Sequence, residues 1–104
     1  MRLTMSREDV FNASGPAPGI VADITIGADK DGKLTALKLE FWNQAGAFPG
    51  STIHSGVMTA LGAYRLPAYY ARGWDVVSNF AGTKAYRAPG APQVSFAVES
   101  CLDE

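Results

Sequence analysis

Apolar and polar residues alternate most clearly between Ile20 and Trp42. Ile20, Ala22, Ile24 and Ile26 share one face of an extended chain, with Val21, Asp23 and Thr25 on the other, the pattern of a half-buried strand. Leu37, Leu39 and Phe41 resume the alternation against Lys38 and Glu40 over Leu34 to Trp42. Asp31-Gly32 supplies the turn between the two runs, because glycine takes positive φ at little cost. Together they predict an antiparallel hairpin, which Asn43 to Gly50 then leaves. Ser55 to Leu61 sets Val57, Met58 and Leu61 at helical spacing, and Gly62 ends that helix. Tyr70 to Val77 is rich in aromatic and β-branched residues and predicts a third strand. A last helix starts near Pro92, with Val94, Ala97, Val98, Cys101 and Leu102 as its apolar face. At the front, Arg2 to Ser6 alternates like a short strand, Ser6 caps a helical turn over Arg7 to Phe11, and Ser14 to Gly19 breaks regular structure. The sum is an α+β fold, mainly an antiparallel sheet with two or three short helices.

The final helix keeps its amphipathic pattern up to Glu104, with no C-cap glycine and no basic last turn, and the opening is equally abrupt. The expectation is that residues 1–104 are one piece of a larger domain, truncated at both ends. Composition agrees with a folded chain: 47% of residues are hydrophobic and 18% charged, near globular averages. The net charge of -1 leaves no basic excess. Neither nucleic acid nor an anionic membrane surface is an expected partner, since both need a concentrated Lys/Arg patch. A single cysteine, Cys101, forms no internal disulfide and no multi-cysteine metal site. With no secretory signal pattern and no membrane-length apolar run, a cytoplasmic protein is expected.

Most candidate motifs have ordinary readings. Asp29-Lys30-Asp31-Gly32 resembles the start of a calcium loop, but its glycine comes too early and Leu37 stands where ligands belong, so a solvated hairpin turn is expected. His54, the only histidine, could serve as a general base for Ser51 or Ser55 in a small hydrolase, but the serines lack a nucleophile-elbow context. Cys101 lies on the apolar helix face and reads as an inert thiol. Trp42, Tyr64, Tyr69, Tyr70 and Trp74 could form an aromatic platform, although those in strands more often fill a core. The loop Thr83-Lys84-Ala85-Tyr86-Arg87-Ala88-Pro89-Gly90-Ala91-Pro92 sets a guanidinium and several small residues just ahead of a helix. Small side chains let a ligand approach the backbone, and free amides at a helix start attract anions and electron-rich oxygens.

That loop, from Ala85 to Gln93 and followed by Phe96-Ala97-Val98-Glu99, resembles a stretch of the molybdenum hydroxylases, in which an aromatic-Arg-Gly-x-Gly-type loop leads into a helix. Four further segments resemble the same family in the same order: Leu3 to Asp9, Gly27 to Leu39, Asn43 to Ala47, and Tyr64 to Pro67. The resemblance covers nearly the whole chain and is to the molybdopterin-binding large subunit of the xanthine dehydrogenase and aldehyde oxidase family.

The resemblance implies an oxidoreductase that hydroxylates carbon centres of aldehydes or heterocycles, or oxidises carbon monoxide, with oxygen taken from water. It implies a molybdenum cofactor, as molybdopterin or its cytosine dinucleotide, with iron–sulfur clusters and FAD on partner domains or subunits. It implies that Arg87, flanked by Tyr86 and Ala88, contacts the cofactor. Pro89 stands where many relatives stack an aromatic residue on substrate, and Ser55 where purine oxidisers use an orienting arginine, so the resemblance does not extend to a planar purine. It further implies that a glycine-rich loop lies upstream and the base glutamate downstream. Residues 1–104 would then hold one wall of a site, inactive alone and prone to self-association. The rival reading is a stand-alone binding or scaffolding module without catalysis. The first reading predicts an open reading frame that continues for several hundred residues on both sides. The second predicts a gene that ends near Glu104, and sequencing the flanking gene separates them.

Overall fold

The Ile20–Trp42 alternation forms the predicted hairpin. In a computed structural model, which describes all of residues 1–104, it is the centre of a fold with the order α1 (Arg7–Ala13), β1 (Ile20–Ala28), β2 (Leu34–Gly46), α2 (Ile53–Gly62), β3 (Ala68–Val77) and α3 (Ala91–Asp103). The Asp29 side chain accepts hydrogen bonds from the amides of Asp31 (3.0 Å) and Lys33 (2.9 Å), and Gly32 sits at φ 79°. The acidic residues of this segment therefore build a turn. Ser6 and Asp9 form a reciprocal capping box at the start of α1. The short strand expected over Arg2 to Ser6 is absent, because alternation makes a strand only where a neighbour offers its edge.

The α+β class stands, but the sheet is mixed. Its order is β1-β2-β3, with β1 antiparallel and β3 parallel to β2. The cause is α2, which carries the chain back along the sheet so that β3 enters from the same end as β2. β2 also runs four residues further than the alternation suggests, to Gly46. Asn43 pairs with Ile20 on one side and Asp75 on the other, Gln44 with Val76, and Gly46 with Val77. The Asn43 amide group donates to Ser51 Oγ and the Gln44 side chain accepts from the Gly19 amide, so polarity does not end the strand.

One face of β2 carries the core. Leu37, Leu39, Phe41, Asn43 and Ala45 are buried, and Leu39 and Phe41 cluster with Ala60 of α2 and with Val94 and Val98 of α3. Both helices lie on this face, α3 against β1 and α2 against β3. Gly73 of β3 makes room for α2, since a Cβ there would lie 2.5 Å from Ile53 Cδ1.

The opposite face has no covering element. Trp42 and Trp74, partners across the parallel pair, stack with ring centroids 4.8 Å apart and planes 4° from parallel, and the Arg72 guanidinium lies 4.8 Å from the Trp74 ring. The expectation that strand aromatics fill the core fails here, because the register points both indoles away from the helices. Leu39→Ala is expected to destabilise the fold by about 2–5 kcal/mol, and Trp74→Ala by clearly less. Urea unfolding monitored by far-UV circular dichroism measures both.

Candidate functional site

The C-terminal ends of β2 and β3, the starts of α2 and α3, and the loop Ser78–Gly90 converge at one end of the molecule. The loop is tied down along its first half. The Ser78 amide donates to the Gly46 carbonyl (3.0 Å), the Ala47 amide to the Phe80 carbonyl (3.0 Å), and the Thr83 amide to the Ala45 carbonyl (3.0 Å). The Thr83 hydroxyl reaches the Gln44 carbonyl (2.9 Å), and the Lys84 amide the Pro16 carbonyl (3.2 Å). Gly46, at φ 78°, is required because a Cβ there would overlap the Ala81 carbonyl.

The loop is fixed again at its far end. Ala88 takes a left-handed φ of 45°, uncommon for a residue with a Cβ, and its carbonyl accepts from the Ala91 amide (3.0 Å). Gly90 caps α3 in the left-handed region at φ 76°. A Cβ on Gly90 would lie 2.5 Å from the Thr52 carbonyl oxygen and 3.0 Å from Gly56 Cα, and one on Gly56 would lie 2.9 Å from Val94 Cγ2. The starts of α2 and α3 therefore meet backbone to backbone. The smallness of Gly90 and Gly56 serves this contact, not ligand approach.

Between the two fixed ends, Lys84 to Ala88 are all exposed. Tyr86 is 64% accessible. The one salt bridge of the chain joins Lys38 to Glu40, so Arg87 projects from a supported loop with its charge unpaired. The start of α3 offers fewer donors than its sequence suggests. Pro92 has no N–H, the Ala91 and Val94 amides are bonded within the turn, and only the Gln93 amide is left. An anionic, acceptor-rich cofactor thus fits the guanidinium better than the helix terminus.

Of the other sequence-derived candidates, Pro89 is half-buried beside Gly90, and Ser55 is exposed in the first turn of α2, next to the Gly56 that touches Gly90. Arg87, Tyr86, Ala88, Pro89 and Ser55 therefore belong to segments joined by the Gly56–Gly90 contact. His54 is exposed and forms no hydrogen bond with Ser51 or Ser55, so no serine–histidine pair assembles. No group of three His, Cys, Asp or Glu side chains comes together to hold a metal ion. Cys101 is half-buried rather than fully enclosed.

Sequence reasoning missed the polar network under this junction. The Asp75 carboxylate of β3 accepts from the Gly50 amide (2.7 Å), the Ser51 amide (3.3 Å) and the Ser51 hydroxyl. The Asn43 side chain, 1% exposed, donates to Ser51 Oγ (2.7 Å). Asn43 Oδ1, Thr52 Oγ1, Ser78 Oγ and Gln93 Oε1 are buried without partners, so four of the converging segments keep an unmet polar atom. No local motif announces these residues, and Asp75 lies 24 residues from its partner Ser51. Partial burial opposes the charge on Asp75, but the bonds from Ser51 and from the Gly50 and Ser51 amides outweigh it and hold its pKa below the usual 3.8.

Comparison with known proteins places the chain as a whole in a family. The whole chain, residues 1–104, matches the family model described as the molybdopterin cofactor-binding domain. It is 32% identical to aldehyde oxidase 1 of Bos taurus over 93% of its length, which is 7% of that protein. It is 35% identical to a putative xanthine dehydrogenase molybdenum-binding subunit of Escherichia coli (strain K12), over 100% of the chain and 14% of the relative. Among solved structures, the aldehyde oxidoreductase from Desulfovibrio gigas superposes with a TM-score of 0.75 at 28% identity, over 86% of this chain and 10% of that one. The chain thus spans a small fraction of the length of each relative.

The depressed pKa of Asp75 gives a signed expectation. Its contribution to stability is present in full above the ordinary carboxylate value and is lost as pH falls through the lowered folded-state value. Wild type should therefore lose stability over that acidic window more steeply than Asp75→Asn. Urea midpoints measured from neutral pH down to about pH 3 check it, and parallel curves would contradict it.

Proposed function

The chain belongs to the molybdopterin cofactor-binding domain family, and from that premise we propose that it forms one wall of the cofactor site in a molybdenum-dependent oxidoreductase of the aldehyde oxidase and xanthine dehydrogenase type. The observation that carries this reading is the exposed, unpaired Arg87 on a loop held at both ends. In this reading Arg87 meets anionic or acceptor atoms of the bound group, while Tyr86 and Ala88 flank it. When bound, the molybdenum cofactor supplies the two-electron oxidation that accompanies oxygen transfer from water to carbon.

The chain's own residues bind and orient. The backbone that carries Arg87 is already fixed at the Thr83 and Gly90 ends of its loop, so less ordering of the chain is needed when the guanidinium meets the bound group. Pro89 and Ser55 border the substrate side. A proline offers no aromatic ring for stacking and a serine no fixed positive charge, which argues against a planar purine as substrate. The cofactor is molybdopterin or its cytosine dinucleotide form. Electrons leave through iron–sulfur clusters and FAD on other domains or subunits. The base that activates water is supplied by another part of the larger protein. No helix here is long and apolar enough to cross a membrane.

A second reading, a binding or scaffolding module without catalysis, draws on the uncovered sheet face with its stacked Trp42 and Trp74. Cofactor content separates the two. In the longer protein carrying this chain, Arg87→Ala is expected to lower bound molybdenum and pterin several-fold, with Arg87→Lys intermediate. Metal analysis and pterin fluorescence measure this. A protein that binds no pterin, or one indifferent to Arg87, rules the first reading out.

A further inference from the structure

We propose that Asp75 is a positioning residue for the Arg87 loop, acting through the entrance to α2. This rests on the reading of that loop as the cofactor wall. Asp75 lies on β3, opposite Asn43 of β2 in the parallel register. Its carboxylate holds the Gly50 and Ser51 amides and the Ser51 hydroxyl, and Ser51 Oγ in turn accepts from the buried Asn43 side chain. These bonds fix the turn that delivers Thr52. The Thr52 carbonyl is the atom against which Gly90 is seated, and it also accepts the first hydrogen bond of α2, from the Gly56 amide (3.1 Å).

A continuous path of contacts therefore leads from Asp75 through Ser51 and Thr52 to Gly90, and Gly90 and Ala88 set the angle at which the Arg87 segment leaves α3. The need for such a strut follows from the rest of the junction. Thr52 caps α2 without a side-chain hydrogen bond, and Gly90 has no side chain with which to cap α3. Neither helix start fixes its own entry, so the carboxylate from the neighbouring strand does it for both. Asp75 touches neither Arg87 nor the loop tip in this arrangement. Its effect reaches them through the backbone.

Residue-resolved amide hydrogen exchange on the 104-residue chain tests the path without any cofactor. Asp75→Asn and Ser51→Ala are expected to speed exchange about tenfold or more, the scale of a lost charge-assisted hydrogen bond. The effect should appear at Gly50 and Ser51, and also across the contact at Ala91 and Val94, whose amides bond to Ala88 and Gly90. Ser51→Thr keeps the hydroxyl and should retain wild-type rates. The β1–β2 amides serve as the internal control for global unfolding. Faster exchange confined to residues 50–52, or Ser51→Thr behaving like Ser51→Ala, would overturn the proposal. Should both substitutions abolish folding, the wild-type acid titration decides. Ala91 and Val94 must then lose protection together with Gly50 as Asp75 protonates, before the hairpin does, and their independence would overturn it equally. Because the readout contains no pterin, a positive result beside a cofactor-free parent would sink the functional reading and leave this one standing.

Discussion

The seating of Gly90 on the Thr52 carbonyl governs the arrangement of the end of this molecule that carries Arg87. Two helices that lie side by side on one sheet face can begin at the same level only if their first turns approach without side chains between them. Gly56 and Gly90 permit that approach, and Val94 and Phe41 close the space beneath it. Moving either helix start by the width of a methyl group would shift the loop that carries Arg87 and the turn that carries Ser55 together. Close packing of this kind transmits displacement instead of absorbing it.

The same contact explains a division of labour among small residues. Gly46, Gly56, Gly73 and Gly90 all face protein atoms that a Cβ would crowd, so each serves internal fit. The residues of the loop that such packing leaves open to solvent are those between its fixed ends, Ala85 to Ala88. A loop bonded at Thr83 and Lys84 on one side and at Ala88 on the other holds its tip on a short tether while keeping it open to solvent. A supported scaffold thus presents an exposed tip, the arrangement on which binding loops are commonly built.

How much of this was legible in the residues depends on range. The hairpin was readable because its signal is local: period-two alternation around Asp31-Gly32. The helices over Ile53–Gly62 and Ala91–Asp103 were readable from apolar spacing, and the Arg87 loop from its family resemblance. The parallel docking of β3 is set by where α2 returns the chain, which no strand pattern encodes. The extension of β2 through Asn43 to Gly46 depends on Ser51, Asp75 and Thr83, partners that a polar run does not name. Asp75 itself looks like any surface carboxylate at the end of a strand. Its role exists only once Gly50 and Ser51 are folded over it.

The stacked indoles on the uncovered face have an optical consequence. The chain has two tryptophans, and both are in that stack, one on each strand of the parallel pair. Both indoles change surroundings when β3 arrives beside β2, so the tryptophan signal of the chain is sensitive to that step. That step closes the crossover through α2, and it is far less local than the β1–β2 hairpin. The molecule carries an intrinsic chromophore for the moment its sheet is completed.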